Sequence, residues 1–180
     1  GQLSVDIHRV ASGLQAIGLS PGDRVAVYLP KCFENVIACF SAGMAGGIFV
    51  PVNPALKPHQ VEHILNDCSA RVLVTSTSRL DALASILPNC PALKTIVTLE
   101  GPLLPDLTNS LPGINLIDWQ SLLTASDKDT VTSSAADKPA AILYTSGSTG
   151  HPTGVVLSHG NLVCGAESVA SYLENTSSDK

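Results

Sequence analysis

Short apolar runs alternating with stretches of helical period constrain this 180-residue chain more than any other feature. Arg24–Leu29 (RVAVYL), Ile48–Val52, Arg71–Thr75 (RVLVT) and Leu93–Leu99 (LKTIVTL) read as strands, the first three apolar almost throughout. Continuously apolar strands belong to sheets covered on both faces, the condition of a parallel sheet. Helix candidates lie between them. Val5, Val10, Leu14 and Ile17 recur near helical spacing until Gly18, and Phe33–Ala45 follows the first strand. Val61, Ile64 and Leu65 share one face after Pro58, and Leu80–Leu87 ends at Pro88. The alternation predicts an α/β fold, a largely parallel sheet flanked by helices.

The texture changes from Glu100 to Lys138, where Pro102, Pro105, Pro112, Asp127-Lys128-Asp129 and Ser133-Ser134 read as a long irregular connection. Asp118–Leu123 is expected to make one helical turn inside it, with Trp119 packing under the loop and Asp127, Asp129 and Asp137 solvated. After Pro139 a strand returns (Ala140–Tyr144), then a polar run, a second strand (Val155–Leu157) and a helix over about Leu162–Leu173. Ser158 or Asn161 can cap that helix, and capping also suits His159 better than ligand contact. The expected organisation is a β/α subdomain over 1–99, an irregular connection over 100–138 and a strand–loop–strand–helix segment of an incomplete domain over 139–180.

Composition removes several function classes. Apolar residues make up 44% and charged residues 14%, which excludes disorder. The low charge fits either a surface meant to be covered by further chain or an alanine- and valine-rich protein. Net charge is −5 and the basic residues are scattered singly, so a nucleic-acid footprint is missing. The charge-free stretch Asn35–Leu56 has the length of a membrane span. Gly43, Gly46, Gly47, Pro51 and Pro54 interrupt it, and it reads better as a buried helix followed by a buried strand. Cys32, Cys39, Cys68, Cys90 and Cys164 are odd in number and lack CxxC spacing, which points to reduced thiols in a cytoplasmic protein without a metal site.

Thr145–Gly154 (TSGSTGHPTG) concentrates hydroxyls and glycines between two strands. Glycine lets backbone approach a ligand closely, and successive N–H groups with Ser/Thr hydroxyls can form an anion-binding concavity. A plain hairpin tip has the same composition, and spacing alone leaves both readings open. No Gly-Lys-Ser/Thr occurs at the offset an NTPase loop requires, and no dinucleotide GxGxxG pattern follows a strand.

The run Ile142-Leu143-Tyr144-Thr145-Ser146-Gly147-Ser148-Thr149-Gly150-His151-Pro152-Thr153-Gly154-Val155 resembles the phosphate-loop signature of the adenylate-forming (AMP-binding) superfamily, which contains acyl-CoA synthetases, peptide-synthetase adenylation domains and luciferases. Leu157-Ser158-His159-Gly160-Asn161-Leu162 is similar to the segment these proteins carry next. Gly18–Val27 resembles the family's first strand with its lead-in turn, and Gly46–Pro54 its glycine- and proline-bounded element. The resemblance spans the chain apart from the 100–138 connection. It implies that a carboxylate attacks the α-phosphate of ATP, releasing pyrophosphate, and that a thiol then displaces AMP. ATP, Mg and coenzyme A are the implied cofactors. The implied partners are a small-molecule carboxylic acid, coenzyme A or a carrier-protein thiol, and the remaining carboxy-terminal chain of the same protein. Thr145, Ser146, Gly147, Ser148, Thr149, Gly150, Thr153 and Gly154 are the implied phosphate-binding residues, and no catalytic residue is assigned.

Two departures matter. The family usually has lysine where Thr153 stands, and Pro139–Asp179 contains no Lys or Arg to replace it. His151, the nearest candidate cation, is mostly uncharged at neutral pH. Family members are also several hundred residues long, with the groups that grip adenine, ribose and magnesium and the adenylation lysine supplied by later sequence. The chain is therefore expected to be a piece of an AMP-forming acyl-CoA synthetase that does not adenylate alone; the alternative is a non-catalytic scaffold descendant with a weakened ATP loop.

Overall fold

The computed structural model describes residues 1–100, 111–124, 135–145, 152–174 and 176. Helix α1 (Gln2–Ala16) leads into strand β1 (Arg24–Tyr28), then α2 (Phe33–Met44), β2 (Ile48–Pro51), α3 (Pro58–Asp67), β3 (Val72–Thr75), α4 (Thr77–Leu83) and β4 (Thr95–Thr98). Strand β5 (Asn115–Asp118), helix α5 (Trp119–Leu123), strands β6 (Pro139–Thr145) and β7 (Thr153–Ser158) and helix α6 (His159–Tyr172) complete the described elements. The strands form one seven-stranded sheet in the order β5-β4-β3-β1-β2-β6-β7. Every neighbouring pair is parallel except β6 and β7.

Side chains alternate across the central strands and build a core on each face. Val25, Val27, Val72, Val74 and Val97 point to one side, where Val10, Leu14, Ile37, Ala42, Trp119 and Leu122 of α1, α2 and α5 cover them. Ala26, Tyr28, Val50, Leu73 and Ile96 point to the other, against Val61, Ile64 and Leu65 of α3 and Leu80 and Leu83 of α4. The continuously apolar strands thus have the two-sided cover that their sequence requires. Asn35–Leu56 is α2 and β2, and among the described residues no helix is long and apolar enough to cross a membrane.

Helix α1 stops where the sequence places its end. Gly18 adopts φ 91°, and the amides of Gly18 and Leu19 return to the carbonyls of Gln15 and Leu14 at 3.0 Å each, the closing pattern of a left-handed glycine stop. Helix α4 begins at Thr77, earlier than the apolar spacing suggests, and a 3-10 turn at Leu87–Asn89 replaces its expected last turn.

The 100–138 connection is less irregular than the sequence indicates. Its residues 115–118 add β5 to the edge of the sheet, in register with Thr95–Thr98 of β4. Asp118 caps the helical turn that follows, its carboxylate accepting from the Ser121 amide at 3.1 Å and the Ser121 hydroxyl at 2.8 Å. Trp119 is buried in the core rather than lying under a loop.

Two predictions follow from this packing. A Cβ on Gly13 would sit 2.8 Å from the Leu122 Cα and carbonyl oxygen, so α1 and α5 meet backbone to backbone. Gly→Ala within an exposed helix gains about 0.5–1 kcal/mol, but Gly13→Ala is expected to lose about 1–3 kcal/mol by overpacking, read as a lower denaturation midpoint. The Ser121 bonds hold the Asp118 carboxyl below its usual pKa. The stabilisation from this cap is therefore complete at neutral pH and is lost on acidification, from the ordinary carboxylate value of about 3.9 down through the lower folded-state value. Asp118→Ala is expected to cost about 1 kcal/mol at pH 7, with the difference from the unsubstituted protein vanishing in acid unfolding curves.

Candidate nucleotide-binding site

Strand β6 joins the parallel sheet beside β2, with Phe49 opposite Ala141, then turns back antiparallel as β7. Because β1, β2, β3, β4 and β6 run the same way, Tyr28, Pro51, Thr75, Thr98 and Thr145 end on one edge. Ligands of open α/β sheets bind outside that carboxyl edge. The connection from β6 to β7 leaves the sheet there. A cleft of about 490 Å³, lined in part by Leu29, Ser76, Ser78, Arg79 and Glu100, opens along the same edge between β1 and β3, where the strand order reverses.

The stem of the hairpin is well defined by its register: Leu143 faces Val155, Tyr144 faces Gly154 and Thr145 faces Thr153. Of the residues expected to bind phosphate, Thr145, Thr153 and Gly154 are therefore placed at the stem. Ser146, Gly147, Ser148, Thr149 and Gly150, with His151, lie outside the described residues. Thr145 and Thr153 are both exposed. Gly154 has a packing role independent of any ligand. A Cβ there would come within 2.9 Å of the Ile142 Cγ2 and 3.1 Å of the Tyr144 ring, so the bare α-carbon is what lets Tyr144 lie across the strand pair.

Helix α3 flanks the stem. The Tyr144 hydroxyl donates to the Asp67 carboxylate, and His63 Nε2 lies 3.0 Å from the carbonyl oxygen of Pro152. Burial first, then the Asp67 carboxylate, push the Tyr144 phenol far above its usual pKa, so the hydroxyl keeps its proton and remains a donor. Sequence reading misses His63 and Asp67; the available signal is a pair of polar residues four apart on a helix whose buried face is Val61, Ile64 and Leu65. Downstream, Ser158 and Asn161 form the expected capping pair at the start of α6. The Asn161 amide reaches Ser158 Oγ at 3.1 Å, and the Ser158 amide reaches Asn161 Oδ1 at 3.0 Å. Among the described residues no group of three or more His, Cys, Asp or Glu side chains is placed to hold a metal ion.

The mostly parallel seven-stranded sheet flanked by helices has the fold of the amino-terminal domain of adenylate-forming enzymes. The chain belongs to the AMP-binding enzyme family, whose model matches residues 1–180. It is similar to a long-chain-fatty-acid–CoA ligase of Bacillus subtilis (strain 168), at 30% identity over 93% of this chain and 33% of that protein. Feruloyl-CoA synthase of Amycolatopsis sp is 33% identical over 89% of this chain and 28% of that protein. Among solved structures, the anthranilate CoA ligase AuaEII in complex with anthranoyl-AMP superposes with a TM-score of 0.80 at 29% identity, over 92% of this chain and 30% of that one. ATP-bound MatB from Rhodopseudomonas palustris gives 0.77 at 32% identity, over 97% and 32%. The chain thus spans about a third of the length of the relatives it matches.

Substitution at the stem tests the packing directly. Gly154→Ala is expected to cost about 1–3 kcal/mol by forcing Tyr144 aside. Thr153→Ala, one residue earlier and exposed, is expected to stay within about 0.5 kcal/mol in the same denaturant titration.

Proposed function

We propose that the protein is an AMP-forming acid–thiol ligase and that Thr145–Gly154 is its ATP-phosphate loop. The observation that carries this reading is the position of the hairpin: a loop of this sequence leaves the carboxyl edge of the sheet between Thr145 and Thr153, in a chain whose relatives are CoA ligases. In the first step a carboxylate oxygen forms a bond to the α-phosphorus of ATP while the bond to the bridging oxygen breaks and pyrophosphate leaves. In the second a thiolate attacks the acyl carbon, and the acyl–oxygen bond to AMP breaks. When bound with ATP, magnesium supplies charge neutralisation along the polyphosphate.

The loop's part in this is to hold the departing β- and γ-phosphates with backbone amides and the hydroxyls of Thr145, Ser146, Ser148 and Thr149, with Gly147, Gly150 and Gly154 keeping side chains out of the way. Donors fixed before the reaction stabilise developing charge without reorganising, which suits a leaving pyrophosphate. The acyl acceptor is coenzyme A or a carrier-protein thiol, and the acid is a small carboxylic acid. Five unpaired cysteines accord with a reducing cytoplasm.

The described residues do not constitute a whole enzyme in this reading. Helix α6 buries none of its residues, and Val155, Val156, Val163, Val169, Tyr172 and Leu173 are exposed. In this reading the surface is covered by the remaining carboxy-terminal chain of the same protein, which the roughly threefold greater length of the relatives supports. The 180-residue chain alone is expected to give no ATP–pyrophosphate exchange in the presence of carboxylic acids. Turnover by this chain would overturn that division of labour.

A second reading, a scaffold descendant with a weakened site, is favoured by one observation. Thr153 occupies the family's lysine position and lies exposed at the start of β7, with no Lys or Arg between 139 and 179. A charge-assisted hydrogen bond contributes about 1.5–3 kcal/mol, or roughly tenfold to 150-fold in affinity. In the full-length protein, carboxylate-dependent formation of AMP and pyrophosphate is expected, and Thr153→Lys should lower the KM for ATP by about tenfold or more. ADP as product would refute the ligase, and inactivity of both forms would establish the scaffold.

A further inference from the structure

His63 and Asp67 are separated by one turn of α3, and each touches one side of the hairpin stem. Asp67 accepts from Tyr144, the penultimate residue of β6. His63 meets the carbonyl of Pro152, the residue immediately before β7. The two contacts therefore straddle the segment between the strands, one at its entry and one at its exit. The Tyr144 ring also packs over the bare α-carbon of Gly154, where a Cβ would come within 3.1 Å of it.

The helix that makes these contacts is itself immobilised. Val61, Ile64 and Leu65 are fully buried in the core beneath it. At its amino end the Lys57 amide donates to Gln60 Oε1 at 3.0 Å. At its carboxyl end Arg24, on the central strand, donates to the carbonyls of Cys68 at 2.5 Å and Ser69 at 2.7 Å. A cation at a helix carboxyl terminus also complements the dipole there. Asp67 is thus fixed by its neighbours in sequence to β1, and the stem is fixed through Asp67.

We propose that His63 and Asp67 are positioning residues for the ATP loop: from one flank of α3 they fix the orientation of its paired stem relative to the sheet. The proposal rests on the reading of Thr145–Gly154 as the ATP-phosphate loop. It follows from what that loop lacks. With no Lys or Arg in the hairpin, phosphate recognition falls on amides and hydroxyls, whose contribution depends on their being correctly placed before ligand arrives. A loop with a lysine reaches its ligand through a long flexible side chain and tolerates a displaced stem; one built from main-chain donors does not.

The test uses the full-length protein and four variants. Tyr144→Phe deletes the hydroxyl and keeps the ring. Asp67→Ala removes the acceptor, Asp67→Asn restores one, and His63→Ala releases Pro152. The readouts are kcat and KM for ATP, the KM for the carboxylic acid, and the thermal midpoint. Tyr144→Phe and Asp67→Ala are each expected to lower kcat/KM for ATP by about tenfold, leaving the KM for the acid unchanged. Their combination should be no worse than either alone, because both remove the same bond. Asp67→Asn should recover most of the loss, and His63→Ala should weaken ATP use in the same selective way. Unchanged ATP kinetics in folded Tyr144→Phe would overturn the proposal, as would equal losses for all substrates that track the thermal midpoint. Absence of AMP formation by the unsubstituted full-length protein would instead sink the ligase reading and this inference with it.

Discussion

Strand β1 is hydrogen-bonded along both edges, to β2 and to β3, and is almost wholly buried. A one-residue slip would exchange Val25 and Val27 with Ala26 and Tyr28, turning each core inside out. The register is therefore strongly specified, and other features hang from it. The Tyr28 hydroxyl reaches the Leu56 carbonyl at 2.9 Å and fixes the approach to α3. Arg79 stacks 4.8 Å above the Tyr28 ring and donates to the Pro54 carbonyl at 2.8 Å, pinning the same connection. Arg24, at the other end of the strand, holds the far end of α3. One strand thus positions both ends of the helix that touches the hairpin stem.

Much of this was legible in the sequence for a physical reason. A strand buried on both faces must be apolar at consecutive positions, so β1, β2, β3 and β4 announce themselves within a residue or two of their observed bounds. Gly18 and the Ser158–Asn161 cap were readable because each solves a local backbone problem that few residue types can solve. Strand β5 was not legible. Its four residues include Asn115 and Asp118 at the two ends and occupy a sheet edge, where one-sided pairing demands no continuous apolar run. The hairpin was recognisable by its sequence pattern, but its attachment to α3 was not. His63 and Asp67 precede Tyr144 by 81 and 77 positions, and no local rule relates them.

The site also separates two properties that are easily merged. Glycine in a phosphate loop is usually explained by the ligand's need for close approach, yet Gly154 is already required by the ring of Tyr144 packing across the strand pair. Thr153, by contrast, is exposed and answers to no packing constraint. The two adjacent positions are therefore open to different kinds of change. One is fixed by the architecture of the stem, and the other is free of it.

The bare outer side of β7 and α6 has a further meaning for a protein as long as its relatives. A ribosome adds on the order of 5–20 residues each second, so a chain emerging past Tyr172 would wait many seconds before several hundred later residues followed. Throughout that interval Val155 and Val156 on a sheet edge, and Val163, Val169, Tyr172 and Leu173 beside them, would face solvent uncovered. Unpaired strand edges with apolar side chains invite association between neighbouring chains. The sheet can be assembled early, but its last strand is a place where nascent chains on one polysome would meet, and where a holdase chaperone has the most to protect.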